Sequence, residues 1–245
     1  MRRVLLPLVV MITSIAHAHV SPSVDDNNRY LKVSPQADRV RVAYTVFFGE
    51  VPGAALRPTL DTNKDGAISD AEAQTFGDRI AADVIATLDL NLDGQQLRVR
   101  WKAVTVGMGS PTVVAGSFSI DMIAYVCLAR ARGRHELHIK DSYRVPKPGE
   151  TEVRVEDGPG ISVEHARIGG SDALANDFKF VGPGGPLSDD GLRVAFVASD
   201  KAPLSNECDA AVEATSGAPI PWLALGLGAL AVVLGVIVVI YKRRK

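Results

Sequence analysis

Between Asp61 and Glu72 the chain reads DTNKDGAISDAE, and its oxygen-bearing side chains fall at fixed intervals. With Asp61 as the first of twelve positions, Asn63 is third, Asp65 fifth, Ser69 ninth and Glu72 twelfth, and Gly66 and Ala67 are sixth and seventh. Alternate side chains on a curling backbone reach one point, so Asp61, Asn63 and Asp65 can converge. Ala67 can add its carbonyl, Ser69 its hydroxyl or a water that it holds, and Glu72 two carboxylate oxygens from the far side. Such a donor set suits a hard cation, and Ca²⁺ takes six to eight oxygens at about 2.3–2.6 Å. Gly66 permits the sharp turn, because without a Cβ it adopts positive φ at little cost.

This spacing resembles the EF-hand calcium loop, and within Asp61–Glu72 every diagnostic position matches. The resemblance covers only the loop and the helix after it. It implies one Ca²⁺ held by Asp61, Asn63, Asp65, the Ala67 carbonyl, Ser69 and Glu72. A plainer reading covers part of the stretch: Ser69-x-x-Glu72 is also a capping box, and Asp65-Gly66 an ordinary turn. Neither accounts for Asp61 and Asn63 at this spacing, nor for apolar Ile68 inside a polar loop.

The flanking segments must position the loop. Gly49–Leu60 contains Pro52, Gly53 and Pro58, which leaves room for at most one helical turn, around Ala54 to Arg57. After the loop, Phe76, Ile80, Val84, Ile85 and Leu88 recur at three- and four-residue steps, which predicts a helix from Asp70 to about Leu88 docked on a sheet. Asp89, Asn91, Asp93 and Gly94 then imitate the start of a second calcium loop, but its twelfth position is Arg100, which cannot ligate. Leu88, Leu90 and Leu92 alternate, and Asp93-Gly94 is a hairpin turn leading to Leu97, Val99 and Trp101.

Alternation also predicts strands at Tyr30–Val33, Arg39–Phe48, Ser117–Ala129, His135–Ile139, Thr151–Val155, Ile161–His165 and Leu192–Val197. Pro- and Gly-rich breaks separate them. The predicted fold is mainly β, an antiparallel β-sandwich-like domain over 19–198 with an inserted EF-hand-type loop and helix.

Both ends of the 245-residue chain are membrane-related. Residues 1–18 carry Arg2 and Arg3, an apolar run and Ala16-His17-Ala18, the form of a secretory signal peptide cleaved before His19. Residues 199–219 read as a linker. Residues 220–241 carry no charge and are long enough to cross a bilayer, and the basic tail 242–245 stays on the cytoplasmic side by the positive-inside rule. The expected protein is single-pass, with its domain periplasmic or at the cell surface. An apolar segment with a short basic tail also resembles bacterial C-terminal sorting signals, although no sorting tripeptide stands out upstream. Six of the 27 basic residues lie in the two end segments, leaving 21 against 28 acidic residues and a domain charge of −7. That argues against a nucleic-acid partner and leaves any envelope protein partner unspecified. Cys127 and Cys208 are either a disulfide in an oxidising compartment, or Cys127 is a buried thiol in an apolar strand.

Catalytic motifs are missing from the sequence. Gly107-Met108-Gly109-Ser110 is not a nucleophile elbow, and there is no H-E-x-x-H, phosphate-binding loop or dinucleotide fingerprint. His135 and His138 would point to opposite faces of a strand. A second metal chemistry starts at His19: as a mature N-terminus, its amine and imidazole could chelate Cu²⁺ with His135, His138 or His165, or it is merely the residue that cleavage leaves. Secreted copper-binding sandwiches and copper oxygenases resemble this first residue. Residues 18–100 also resemble extracytoplasmic domains of nickel/cobalt-transporter-like bacterial proteins, in their Ala-His junction, strand, acidic segment, helix and Asp-Gly hairpin. That resemblance implies an envelope metal context without a defined activity.

Overall fold

The computed structural model describes residues 25–128, 132–169, 171–172, 179–180 and 185–204. In chain order the elements are β1 (Asn27–Pro35), β2 (Arg39–Phe48), α1 (Glu50–Leu56), α2 (Asp70–Thr87), β3 (Leu88–Leu92), β4 (Gln95–Leu97), β5 (Trp101–Gly107) and β6 (Phe118–Cys127). There follow β7 (Gly133–Asp141), β8 (Pro148–Val155), β9 (Ile161–Ile168), β10 (Ser171–Asp172), β11 (Lys179–Phe180), α3 (Gly185–Asp189) and β12 (Leu192–Ala198). They form two six-stranded sheets, in the orders β11-β8-β1-β2-β6-β5 and β10-β9-β12-β7-β3-β4. The fold is thus mainly β. Its pairings are antiparallel except for β1 with β8, which run parallel.

Period-two alternation places the core. Val40, Val42, Tyr44, Val46 and Phe48 of β2 and Ile120, Met122 and Ala124 of β6 are buried. They join Leu90, Leu137, Ile139, Val194 and Phe196 of the second sheet in one hydrophobic cluster. The helix α2 covers the end of the first sheet. Its buried face is Ala73, Phe76, Gly77, Ile80, Ala81 and Val84, the three- and four-residue spacing read from the sequence. Phe48 stacks on Phe118 at 4.6 Å between ring centroids, and Phe76 meets both rings at 5.8 and 6.0 Å. The Trp101 indole N–H donates to the Ala81 carbonyl at 2.9 Å, fixing α2 against β5.

Two expectations need correction. The segment before the loop is more than one turn: α1 has seven residues and runs into a 3-10 turn at Arg57–Thr59. Pro52 is the third residue of α1, where the backbone N–H has no intrahelical partner to lose, and Pro58 is the second residue of the 3-10 turn, tolerated for the same reason. The hairpin after α2 is also shorter than expected. Asp93 and Gly94 both take positive φ, 52° and 81°, as the turn requires, but β4 ends at Leu97 and Trp101 starts β5 in the other sheet.

Gly53 sits where α1 touches the loop before β6. A Cβ there would stand 2.6 Å from the Gly116 carbonyl oxygen. Gly53→Ala, although it favours helix, is expected to destabilise the domain by about 1–2 kcal/mol, read as a lower denaturant midpoint.

The expected signal peptide 1–18, the apolar segment 220–241, the tail 242–245 and His19 lie outside the described residues. Among the described residues no helix is long and apolar enough to cross a membrane. Of the linker, residues 199–204 are described: the Ser199 N–H bonds the Gly160 carbonyl at 2.9 Å, and Ala202 is buried in the core cluster. Cys127 is disulfide-bonded, which removes the free-thiol alternative. The sequence has one other cysteine, Cys208, outside the described residues.

Candidate functional site

The loop from Asp61 to Glu72 lies between α1 with its 3-10 turn and α2, anchored on both sides by core residues. Leu60 before it and Ile68 within it are each 3 % exposed. Ile68 is apolar because the loop must dip into the core at this point, while Thr62–Gly66 stay at the surface. The backbone at this point also finds a partner. The Ile68 N–H donates to the Pro111 carbonyl at 2.6 Å, the Val113 N–H to the Gly66 carbonyl at 3.3 Å, and Ala67 bridges Thr112. The β5–β6 connection thus lends the loop a short strand.

Inside the loop the candidate ligands are drawn together by backbone donors. Asp61 Oδ1 and Asn63 Oδ1 both accept from the Asp65 N–H, at 3.2 and 2.9 Å. Asp61 Oδ2 accepts from the Gly66 N–H at 2.9 Å, and Asp65 Oδ1 from the Ala67 N–H at 2.9 Å. The Asn63 amide donates to Asp65 Oδ2 at 3.0 Å. Lys64 at φ 60° and Gly66 at φ 86° make the two left-handed turns that this curl demands.

Glu72 closes the loop. Its Oε1 accepts from the Thr62 N–H and hydroxyl, both at 2.7 Å, and from the Asn63 N–H at 3.3 Å. Its Oε2 accepts from the Ser69 N–H at 3.0 Å and the Ser69 hydroxyl at 2.8 Å, and Ser69 caps α2 in return. The capping box is therefore present, and the same carboxylate also reaches back to the start of the loop. The Thr62 hydroxyl above all, with the Ser69 donors, holds the Glu72 carboxyl down at about 2. A carboxyl lowered by folding contributes stability that is complete above its unfolded value near 4.5 and is lost as pH falls toward 2. An NMR titration of the Glu72 carboxyl should therefore find a midpoint well under 4.5, moving up in Thr62→Val; a wild-type midpoint near 4.5 would refute this bonding.

One residue that the sequence reading passed over organises this region. Arg57, fully buried, donates to the carbonyls of Gly116 at 2.8 Å, Ser110 at 2.7 Å, Thr112 at 3.1 Å and Ser117 at 3.2 Å, and to that of Met108. Burial pushes its guanidinium down from the ordinary value, and the Glu50 carboxylate acts the other way. Glu50 also accepts from the Ser117 N–H at 3.1 Å. Arg57 thus shapes the connection whose Pro111 and Thr112 pair with the loop. The buried arginine, four residues before Asp61 in a Pro-rich stretch, carried no motif.

Among the described residues His135, His138 and His165 stand apart from one another, and His19, on which the copper reading turns, lies outside them. His135 is buried, with Nδ1 2.6 Å from Asp93 Oδ2 and Nε2 3.0 Å from the Arg132 carbonyl. His138 lies on the opposite face of β7, 2.8 Å from the Asp190 carbonyl, and His165 is exposed on β9. Among the described residues no three side chains drawn from His, Cys, Asp and Glu form a group that could hold a metal ion. A cation at Asp61–Glu72 would therefore depend on the mixed set, with the Asn63 amide, Ala67 carbonyl and Ser69 hydroxyl beside the carboxylates. Ca²⁺ accepts such mixed oxygens, whereas Cu²⁺ and Ni²⁺ favour imidazole nitrogen. Comparison with known proteins gave no match, either to a family model or to a curated relative.

Proposed function

We propose that this is a membrane-anchored extracytoplasmic calcium-binding protein, in which Ca²⁺ stabilises a β-sandwich-like interaction or accessory domain. The observation that carries the reading is the curl of the loop. Asp61 and Asn63 share the Asp65 N–H, Asp65 accepts from the Ala67 N–H, and Glu72 returns to the Thr62 and Asn63 N–H groups at the start of the loop. On binding, Glu72 would exchange its Thr62 and Asn63 donors for the ion, and Ala67 and Ser69 would complete the oxygen set. The role is a staple: the ion ties the end of α1 to the start of α2, and through the Ala67–Thr112 bridge to the β5–β6 connection.

The described chain ends at Leu204 beside the β1–β2 turn, with Pro203, Leu204, Gln36 and Arg39 around one cavity.

A lone extracytoplasmic loop suits weak affinity, a Kd of about 10⁻⁴–10⁻³ M. At ten times Kd the ion adds about 1.4 kcal/mol, or roughly 3–6 °C in melting temperature for a domain of this size. The test is thermal unfolding of the full chain in detergent with 10 mM Ca²⁺ (about ten times the weaker Kd) and with EDTA. A rise of that order with Ca²⁺ supports the proposal, and superimposable curves refute it.

A further inference from the structure

We infer that the cavity between the β7–β8 connection and α3 binds a small organic anion, a carboxylate or phosphate on an apolar body. The cavity is about 600 Å³, within the ~300–1,000 Å³ usual for small-molecule sites. It lies outside the calcium loop, and the inference does not rest on that reading.

The cavity is lined by Arg29, whose side chain is 5 % exposed. Arg29 donates to Asp141 Oδ2 at 2.7 Å, the Tyr143 carbonyl at 2.6 Å and Thr151 Oγ1 at 3.1 Å. A guanidinium has five N–H groups, so two are left with no protein partner among the described residues. Asp141 offsets the Arg29 charge, so what Arg29 brings to the cavity beyond its structural bonds is its remaining N–H donors.

The wall is built in advance. Arg29 holds Tyr143, while Asn27 fixes the other end through its amide to the Pro146 carbonyl at 2.6 Å and its N–H to the Lys147 carbonyl at 2.9 Å. Lys147 takes φ 45°, a left-handed conformation that a non-glycine residue keeps only when its surroundings impose it. Arg144 and Lys147 line the cavity from this wall, both exposed and neither ion-paired among the described residues. Against them stand Asp189, which accepts from the Ser188 hydroxyl, and Asp141, which Arg29 offsets. The mouth therefore has an excess of one positive charge in a domain that is otherwise acidic. Val145, Pro146 and Pro148 supply the apolar lining for a ligand's body.

The test is an NMR titration of the full chain in detergent and calcium-free buffer with benzoate, phenyl phosphate and benzyl alcohol. The two anions share one body and differ in headgroup, so the tighter of them identifies the group recognised. Saturable shifts of the Tyr143 and Lys147 amides with an anion and none with benzyl alcohol are expected. The double variant Arg144→Ala, Lys147→Ala should bind about tenfold more weakly at unchanged melting temperature. No saturation with either anion, an equal response to benzyl alcohol, or unchanged affinity in the double variant would overturn the inference.

Discussion

Arg57→Met is expected to cost about 3–5 kcal/mol, a large part of the stability of a domain of this size. Methionine fills much of the arginine stem but donates nothing, so the carbonyls of Met108, Ser110, Thr112, Gly116 and Ser117 lose a shared partner in a place water reaches poorly. The cost stays below the sum of the bonds because the connection can loosen and turn some carbonyls outward. That loosening has a second consequence. Pro111 and Thr112 pair with Ile68 and Ala67, so on the calcium proposal the variant should also bind Ca²⁺ more weakly though it alters no proposed ligand. Urea unfolding reads the first effect and calorimetry the second. A loss under about 1 kcal/mol would show that the carbonyls find other partners.

The second large effect is at the ion pair between the sheets. Asp141 of β7 accepts from Arg29 of β1 at 2.7 Å and from the Tyr44 hydroxyl of β2 at 2.6 Å, and its Oδ1 from the Tyr143 N–H at 2.9 Å. Burial pushes the Asp141 carboxyl up from its ordinary value, while Arg29, Tyr44 and Tyr143 pull it down. Burial, with the Asp141 charge, also raises the Tyr44 phenol well above 10. Arg29→Met leaves the carboxylate without its cation and is expected to cost about 3–5 kcal/mol. Arg29→Met with Asp141→Leu should recover part of that, because no buried charge is then orphaned. Denaturant midpoints of the two variants decide it: a double variant no more stable than Arg29→Met would refute the orphaned charge as the source of the cost.

The strands and the helix after the loop were legible because their signal is local. Val40 to Phe48 alternate, and Phe76, Ile80 and Val84 repeat at helical spacing, wherever the partner surface lies. The spacing of oxygen-bearing side chains from Asp61 to Glu72, with the capping box inside it, was legible for the same reason. What escaped depended on distant contacts or on position within an element. Pro52 and Pro58 read as breakers, yet each stands in a first turn where proline costs little. Trp101 continued a hairpin pattern, but its strand pairs with β6 in the other sheet. Arg57 carried no signal of its own, and only five carbonyls more than fifty residues further on give it a role. Tyr44 fitted the apolar alternation and still carries a hydroxyl to Asp141, which no periodicity reveals.

The most direct test of the calcium proposal is isothermal titration of the full chain with Ca²⁺, beside Glu72→Gln. Glutamine keeps the length and part of the hydrogen bonding to Thr62 and Ser69, but removes the charge and one of the two ligating oxygens. The wild type should give one saturable site with Kd of about 10⁻⁴–10⁻³ M, and Glu72→Gln should give no measurable heat. No heat from the wild type at millimolar Ca²⁺, or the same isotherm from both proteins, would contradict it.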